Sequence, residues 1–191
     1  MLLSARINTL EFASDHWQRK ILMDTTVYVL RHAQPAAGDM PNRSRPLTDL
    51  GRAQAEALVA YLNTLQLAAV YTSPFVRAVQ TVQPFCQASG ISAIEREDLR
   101  ESGADELLPQ VRQRMVEAVQ SIVDAHPDSR VLVCTHGGNI WGLISHFDSS
   151  FDYDNYRQIR SPDLKRLLYT PRGNKLDEEF SFDLEFNDGK A

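Results

Sequence analysis

Apolar residues along this chain follow two rhythms, short continuous runs and longer stretches at helical spacing, and the rhythms alternate. Val27-Tyr28-Val29-Leu30 is a run of β-branched and aromatic side chains that reads as a short buried strand and stops abruptly at Arg31-His32. A loop punctuated by Pro35, Gly38, Pro41 and Pro46 follows. Thr48 is a plausible N-cap, and Leu50, Ala53, Ala57, Leu58, Tyr61, Leu62 and Leu65 then predict a helix over 49–66. Residues 68–72 read as a second strand. Ser73-Pro74 is expected to cap and start a second helix, with Val76, Val79, Phe85 and Cys86 facing inward and Ser89-Gly90 ending it. A weak strand lies within 91–99, and a third helix spans 109–125, with Val111, Met115, Val119, Ile122 and Val123 on one stripe. Arg130–Thr135 is the strongest strand pattern. It delivers His136-Gly137-Gly138, after which Ile140, Trp141, Leu143, Ile144 and Phe147 continue as a helix. Residues 165–170 and 180–186 read as edge strands closing the sheet, the second with three Phe and one Leu on one face. This alternation predicts an α/β fold, a three-layer α/β/α sandwich with a largely parallel central sheet.

Residues 1–24 precede the first convincing strand and read as an N-terminal extension without a catalytic role, although an amphipathic helix packed on the domain is also open. The remainder, 25–191, has no linker-like division and reads as one domain. A hydrophobic content of 43% with 24% charged residues suits a soluble globular protein, and the net charge of -5 argues against nucleic acid as the main partner. Two cysteines, Cys86 and Cys134, each sit inside a patterned element, so neither a disulfide framework nor a zinc site is supported and a reducing cytoplasm fits. No apolar run approaches the about 20 residues of a membrane span, and no signal peptide is evident.

Three strand-to-helix junctions carry chemistry: Arg31-His32, Ser73-Pro74 with Arg77 just inside the helix, and His136-Gly137-Gly138. In a parallel sheet these junctions share the carboxyl edge, where open α/β sheets place ligands. Two guanidinium groups, two imidazoles and the amide groups of two helix starts would then surround one small volume suited to an anion. Taken singly, each has an ordinary reading: Arg77 as a solvated helix residue, Gly137-Gly138 as close packing.

Leu30-Arg31-His32-Ala33, Pro46-Leu47-Thr48 with Gly51 and Gln54-Ala55, Ser73-Pro74 with Arg77-Ala78 and Gln80-Thr81, and Thr135-His136-Gly137-Gly138 occur in the order and approximate spacing of the histidine phosphatase superfamily, and the chain resembles these phosphoglycerate-mutase-like proteins from about residue 27 to 147. The resemblance implies that His32 accepts a phosphoryl group as phosphohistidine. It further implies that Arg31, Arg77 and His136 hold the phosphate oxygens and that Glu101 is the acid, with Asp105 or Glu106 as neighbouring substitutes. Gly137, Arg43 and Arg45 are further substrate-binding candidates, and ordinary solvated arginines are an equal reading of the last two. Such chemistry needs no metal and no cofactor. Ala33 stands where Gly is commonest in the family and Gln34 where Glu is frequent. The segment between Glu101 and Pro109 is short, which implies an open pocket and favours hydrolysis by water over mutase chemistry. The resulting expectation is a cytoplasmic phosphatase of a small phosphorylated metabolite. A phosphoglycerate mutase, a protein phosphohistidine phosphatase and a catalytically silent phospho-ligand binder remain alternatives.

Overall fold

The computed structural model describes residues 24–170, 173–177, 180 and 182. Within them, β1 (Thr25–Arg31), α1 (Asp49–Thr64), β2 (Ala69–Thr72), α2 (Val76–Ser89), β3 (Ala93–Glu95), α3 (Leu108–Ala125), β4 (Arg130–Thr135), α4 (Gly137–Phe147), α5 (Tyr153–Gln158), β5 (Asp163–Thr170) and β6 (Gly173–Leu176) follow one another. One six-stranded sheet runs β3-β2-β4-β1-β5-β6. The first four strands pair in parallel, and β5 and β6 join antiparallel. The unbroken apolar run in β1 follows from its place between β4 and β5, with both faces covered. Val27 and Val29 share one face with Val131 and Val133 under α3 and α4, where Met115, Ile122, Leu143 and Ile144 pack. Tyr28 and Leu30 share the other with Leu132 and Cys134 under α1 and α2, where Leu58, Leu62, Val82 and Phe85 pack. This is the expected three-layer α/β/α sandwich. Among the described residues no helix is long and apolar enough to cross a membrane.

Several boundaries differ from expectation. α2 starts at Val76, with Phe75 rather than Ser73 at the N-cap. The Ser73 hydroxyl still accepts the Phe75 N–H at 3.3 Å, but its short loop turns the chain before the helix begins. The buried face of α2 is Arg77, Ala78, Thr81, Val82 and Phe85. Val76, Val79 and Cys86 are only half-buried, because that rotation carries Arg77 inward toward the sheet edge. The weak strand in 91–99 shrinks to β3 and a 3-10 turn at Glu97–Leu99 that buries Leu99 completely. β5 lies inside the sheet, and the edge is β6, whose Gly-Asn-Lys-Leu sequence carries no alternation to read. Of the strand expected at 180–186 only Phe180 and Phe182 are described. Neither is in a strand, and their rings pack against Tyr28 at 6.0 Å and Tyr61 at 5.1 Å between centroids. The proposed extension, apart from Asp24, lies outside the described residues.

α1 is clamped to the loop that leaves β1. Thr48 caps the helix by accepting the Gly51 N–H at 2.9 Å, and its own N–H reaches the Gln34 carbonyl at 3.0 Å. A Cβ at position 51 would overlap that Gln34 carbonyl oxygen, with the Gln34 carbonyl carbon and Leu47 Cβ each only 3.1 Å away. Backbone cannot yield cheaply, so Gly51→Ala is expected to cost about 1–3 kcal/mol, the range of overpacking. Urea denaturation checks this; a midpoint equal to wild type would show that the loop and helix are not in the contact described.

Candidate functional site

Every functional side chain comes from the carboxyl edge of the sheet. His32 follows the last residue of β1 and is 3% exposed. Its Nδ1 lies 2.8 Å from the Ala33 carbonyl oxygen, and Arg77 Nε lies 3.1 Å from its Nε2. A carbonyl only accepts and a guanidinium only donates, so this network assigns the proton to Nδ1 and a lone pair to Nε2. Burial foremost, then the neighbouring His136, pushes the His32 pKa down to about 3. The imidazole is therefore neutral across the physiological range, with its basic nitrogen facing the cleft guanidinium.

Arg77 anchors the centre. Its side chain is 2% exposed, and besides His32 it donates to the Asn42 carbonyl at 2.6 Å and to Glu101 Oε2 at 3.2 Å. The Phe75 ring lies 5.1 Å beneath its guanidinium. His136 is the N-cap of α4 and is fully buried. Its Nε2 meets Ser73 Oγ at 2.7 Å, and its Nδ1 lies 3.3 Å from Glu101 Oε2 but off the hydrogen-bond direction. Burial lowers the His136 pKa, with Glu101 opposing. For Glu101, burial works to raise the pKa, but contact with His136 and the charge of Arg77 prevail and hold the carboxyl at about 2. Arg31 donates to the Ile159 carbonyl at 2.5 Å, and its guanidinium carbon would lie 3.2 Å from any Cβ at Gly137, so the glycine is what lets the two segments meet.

Arg31, His32, Arg77 and Glu101 line a cleft of about 540 Å³ with Pro35, Asn42, Arg45, Ser102, Gly137, Gly138 and Tyr156. Four buried side-chain polar atoms lack a hydrogen-bond partner among the described residues; two of them, Arg31 Nε and Arg45 Nε, belong to residues that line the cleft, and a third, His136 Nδ1, faces Glu101 behind it. Unpaired buried donors are costly and rare in folded proteins, so their concentration here marks groups kept for an anion. His32, Glu101 and His136 also offer ligand atoms within 4.8 Å of one another, a spacing a metal ion could use. Arg77 already donates to two of the three, which makes the set a poor cation cage and a good anion cradle.

Of the residues singled out from sequence, Arg31, His32, Arg45, Arg77, Glu101 and Gly137 line the cleft, and His136 lies directly behind it against Glu101. Arg43 lies outside that lining and forks onto Glu97 with two 2.8 Å hydrogen bonds. Asp105 is exposed, and Glu106 is taken up by Arg100 at 2.9 Å and Arg114 at 2.6 Å. Arg114 also donates to the Asp98 and Arg100 carbonyls, and Asn139 Nδ2 reaches the Leu99 and Arg100 carbonyls at 3.1 and 2.7 Å. This network fixes the loop that presents Glu101. Ser73, Asn42, Ser102, Asn139 and Tyr156 were not identified as site residues from sequence. Only Ser73 carried a signal, its place at a strand end beside Arg77.

Fold and site together define an α/β protein with a histidine-centred anion site at the carboxyl edge of its sheet. The family model of the histidine phosphatase superfamily (branch 1) matches residues 27–107 and 102–178, and the chain belongs to that family. An 8-oxo-(d)GTP phosphatase of Mycolicibacterium smegmatis is 33% identical over 153 residues, which cover 73% of this chain and 44% of that protein. The chain thus spans less than half the length of this relative. The YhfR structure of Bacillus stearothermophilus superposes with a TM-score of 0.71 at 25% identity, over 84% of this chain and 98% of its own. A phosphoglycerate mutase of Bacillus anthracis gives 0.69 at 17% identity, over 83% and 94%, and a mycobacterial glucosyl-3-phosphoglycerate phosphatase 0.67 at 19%, over 81% and 97%. The last two share the fold.

The depressed pKa values set an acid limit to stability. His32 binds its proton near pH 6.5 when unfolded and about 3 when folded, so between these values the unfolded chain holds more protons and stability falls as pH falls. His136 acts in the same direction below 6.5, and Glu101 and Glu106 do so between 4.5 and about 2. His32→Gln is expected to flatten the slope of unfolding free energy between pH 6 and 4.5 by about 1.4 kcal/mol per pH unit. Urea melts at several pH values read this, and an unchanged slope would mean that the folded His32 ring takes up its second proton near the ordinary histidine pKa.

Proposed function

We propose that the chain hydrolyses phosphomonoesters of small metabolites through a phosphohistidine at His32, without a metal or cofactor. The observation that carries this reading is the neutral His32 imidazole, its Nε2 lone pair held toward Arg77 Nε at 3.1 Å and its Nδ1 proton anchored on the Ala33 carbonyl. When a phosphoryl group enters, Arg77 and Arg31 turn their donors to its oxygens and Nε2 is released to attack phosphorus. The N–P bond forms as the bond to the ester oxygen breaks, and the developing charge is spread over oxygens held by Arg31, Arg77 and His136. Glu101 protonates the leaving oxygen. Water then attacks the phosphohistidine, Glu101 accepts its proton, and inorganic phosphate leaves with the imidazole neutral again.

With its pKa at about 2, Glu101 is ionised before substrate binds. A phosphomonoester loses its second proton near about pH 6, so the monoanion can deliver the acidic proton, and its negative charge also offsets Arg77 and raises the carboxyl pKa. The named relatives act on different phosphorylated compounds, so support extends to the class of reaction and leaves the particular substrate open.

Hydrolysis of 4-nitrophenyl phosphate is expected to survive EDTA and to fall about a thousandfold or more in His32→Ala. Glu101→Gln is expected to slow alkyl phosphates by about a hundredfold or more and nitrophenyl phosphate much less, because nitrophenolate leaves without a proton. The wild-type kcat/KM is expected to decline above about pH 6 with the second ionisation of the substrate. Full activity in His32→Ala, or equal losses on both leaving groups in Glu101→Gln, would overturn the assignment of these roles. Primer-dependent interconversion of monophosphoglycerates, exceeding hydrolysis, would assign the site to mutase chemistry instead.

A further inference from the structure

Beside the anion cradle stands an aromatic wall that the chemistry above does not use. Tyr156 on α5 lines the cleft, and its ring edge would lie 3.3 Å from a Cβ at Gly137, the residue packed on the Arg31 guanidinium. Trp141 on α4 stacks behind Tyr156 with centroids 5.1 Å apart and planes at 23°. Tyr153 completes the group, 5.8 Å from Trp141 and 5.7 Å from Tyr156, and is 57% exposed. The wall is tied to the phosphate-holding strand. Arg31 donates to the Ile159 carbonyl at 2.5 Å, directly after α5, and Ser161 Oγ donates to the His32 carbonyl at 2.6 Å. Trp141 Nε1 donates to the Phe151 carbonyl at 3.3 Å, holding the indole over the start of α5.

Resting on the phosphatase reading, we propose that this wall selects the leaving group, taking phosphomonoesters that carry a planar aromatic ring within stacking reach of Tyr156. Three points lead there. Apart from Pro35 and the two glycines, the side chains that line the cleft with Tyr156 are polar or charged, so its ring is the largest apolar contact face in the lining. Aromatic rings give rigid contact area at small entropic cost, and an offset stack on Tyr156 is backed by Trp141 so that the ring does not yield. A core role alone would bury all three rings, whereas the outermost is the most exposed. The shared chemistry is a planar ring, either joined to the phosphate directly, as in an aryl phosphate, or carried on a sugar, as in a nucleotide.

Two substrate pairs separate these sources: phenyl phosphate against glycerol 3-phosphate, whose leaving groups also differ in acidity so that only the part of the preference removed by Tyr156→Leu is read, and a nucleoside 5'-monophosphate against ribose 5-phosphate. Wild type is expected to prefer the ring-bearing member of at least one pair by about tenfold or more in kcat/KM. Tyr156→Leu is expected to erase that preference mainly through KM, while Tyr156→Phe keeps it. Trp141→Leu should reduce the same preference by removing the backing ring. The pair that loses its preference identifies the reach of the wall. Calorimetry with the His32→Ala protein supplies a readout independent of turnover, in which the ring-bearing ester binds more tightly than inorganic phosphate and Tyr156→Leu removes the difference. An equal decline on both members of each pair, or no ring preference in binding, overturns the wall. Absence of hydrolysis by wild type with ring preference intact in binding would overturn the phosphatase reading and leave the wall standing.

Discussion

The burial of one imidazole between an acceptor and a donor is the constraint on which the rest of the site depends. His32 donates its Nδ1 proton to the carbonyl of the next residue and presents Nε2 to Arg77, and the second contact, a donor facing Nε2 in a buried site, excludes a proton there. The fold maintains this state through three independent elements: β1 supplies the histidine, α2 the guanidinium, and the Asn42 turn the carbonyl that fixes the guanidinium's far end. Among the described residues Arg77 is the largest fully buried side chain. A buried guanidinium costs several kcal/mol unless its donors are matched, and here they are matched by a neutral nitrogen, a carbonyl and a carboxylate. In the proposed mechanism phosphate oxygens take their place.

Glu101 is a different kind of component, since its placement relies on a side-chain scaffold well away from the reacting atoms. Glu106, Arg100, Arg114 and Asn139 tie the loop's backbone carbonyls to α3 and α4. Gly138 leaves room for the Glu101 loop, since a Cβ there would crowd Ser102 Oγ at 3.2 Å while meeting Glu101 Oε1 at an ordinary 3.7 Å. The same helix start therefore packs against both His136 and the Glu101 loop, which joins the proposed phosphate cradle to the proposed acid.

How far this arrangement was legible in the sequence depends on where each residue lies. His32, Arg77 and His136 follow apolar runs or helix starts, so their convergence could be inferred from strand order in a parallel sheet, and the structure places them together. Arg43 and Arg45 were indistinguishable in a loop without periodicity. The structure sends the first to Glu97 and the second to the cleft, an outcome set by long-range packing. The helical phase of α2 is only partly legible, with Phe85 buried as the pattern predicts but Val76 and Val79 displaced, because its buried face includes Arg77 and Thr81 and polar residues stand where apolar ones signal a core. Likewise α5 and β6 are short and polar: Arg31 fastens the end of α5 from far back in the chain, and β6 is a strand only because it pairs with β5.

The central claim is that His32 Nε2 carries the phosphoryl group, and rapid chemical quench with mass-spectrometric mapping tests it most directly. Mixing the protein with excess aryl phosphate and quenching in base within the first turnover is expected to leave an acid-labile phosphoryl group on His32 and on no other residue, rising before free phosphate does. Phosphate release at the same rate with His32 unmodified, or a phosphoryl group on a different side chain, would contradict the account.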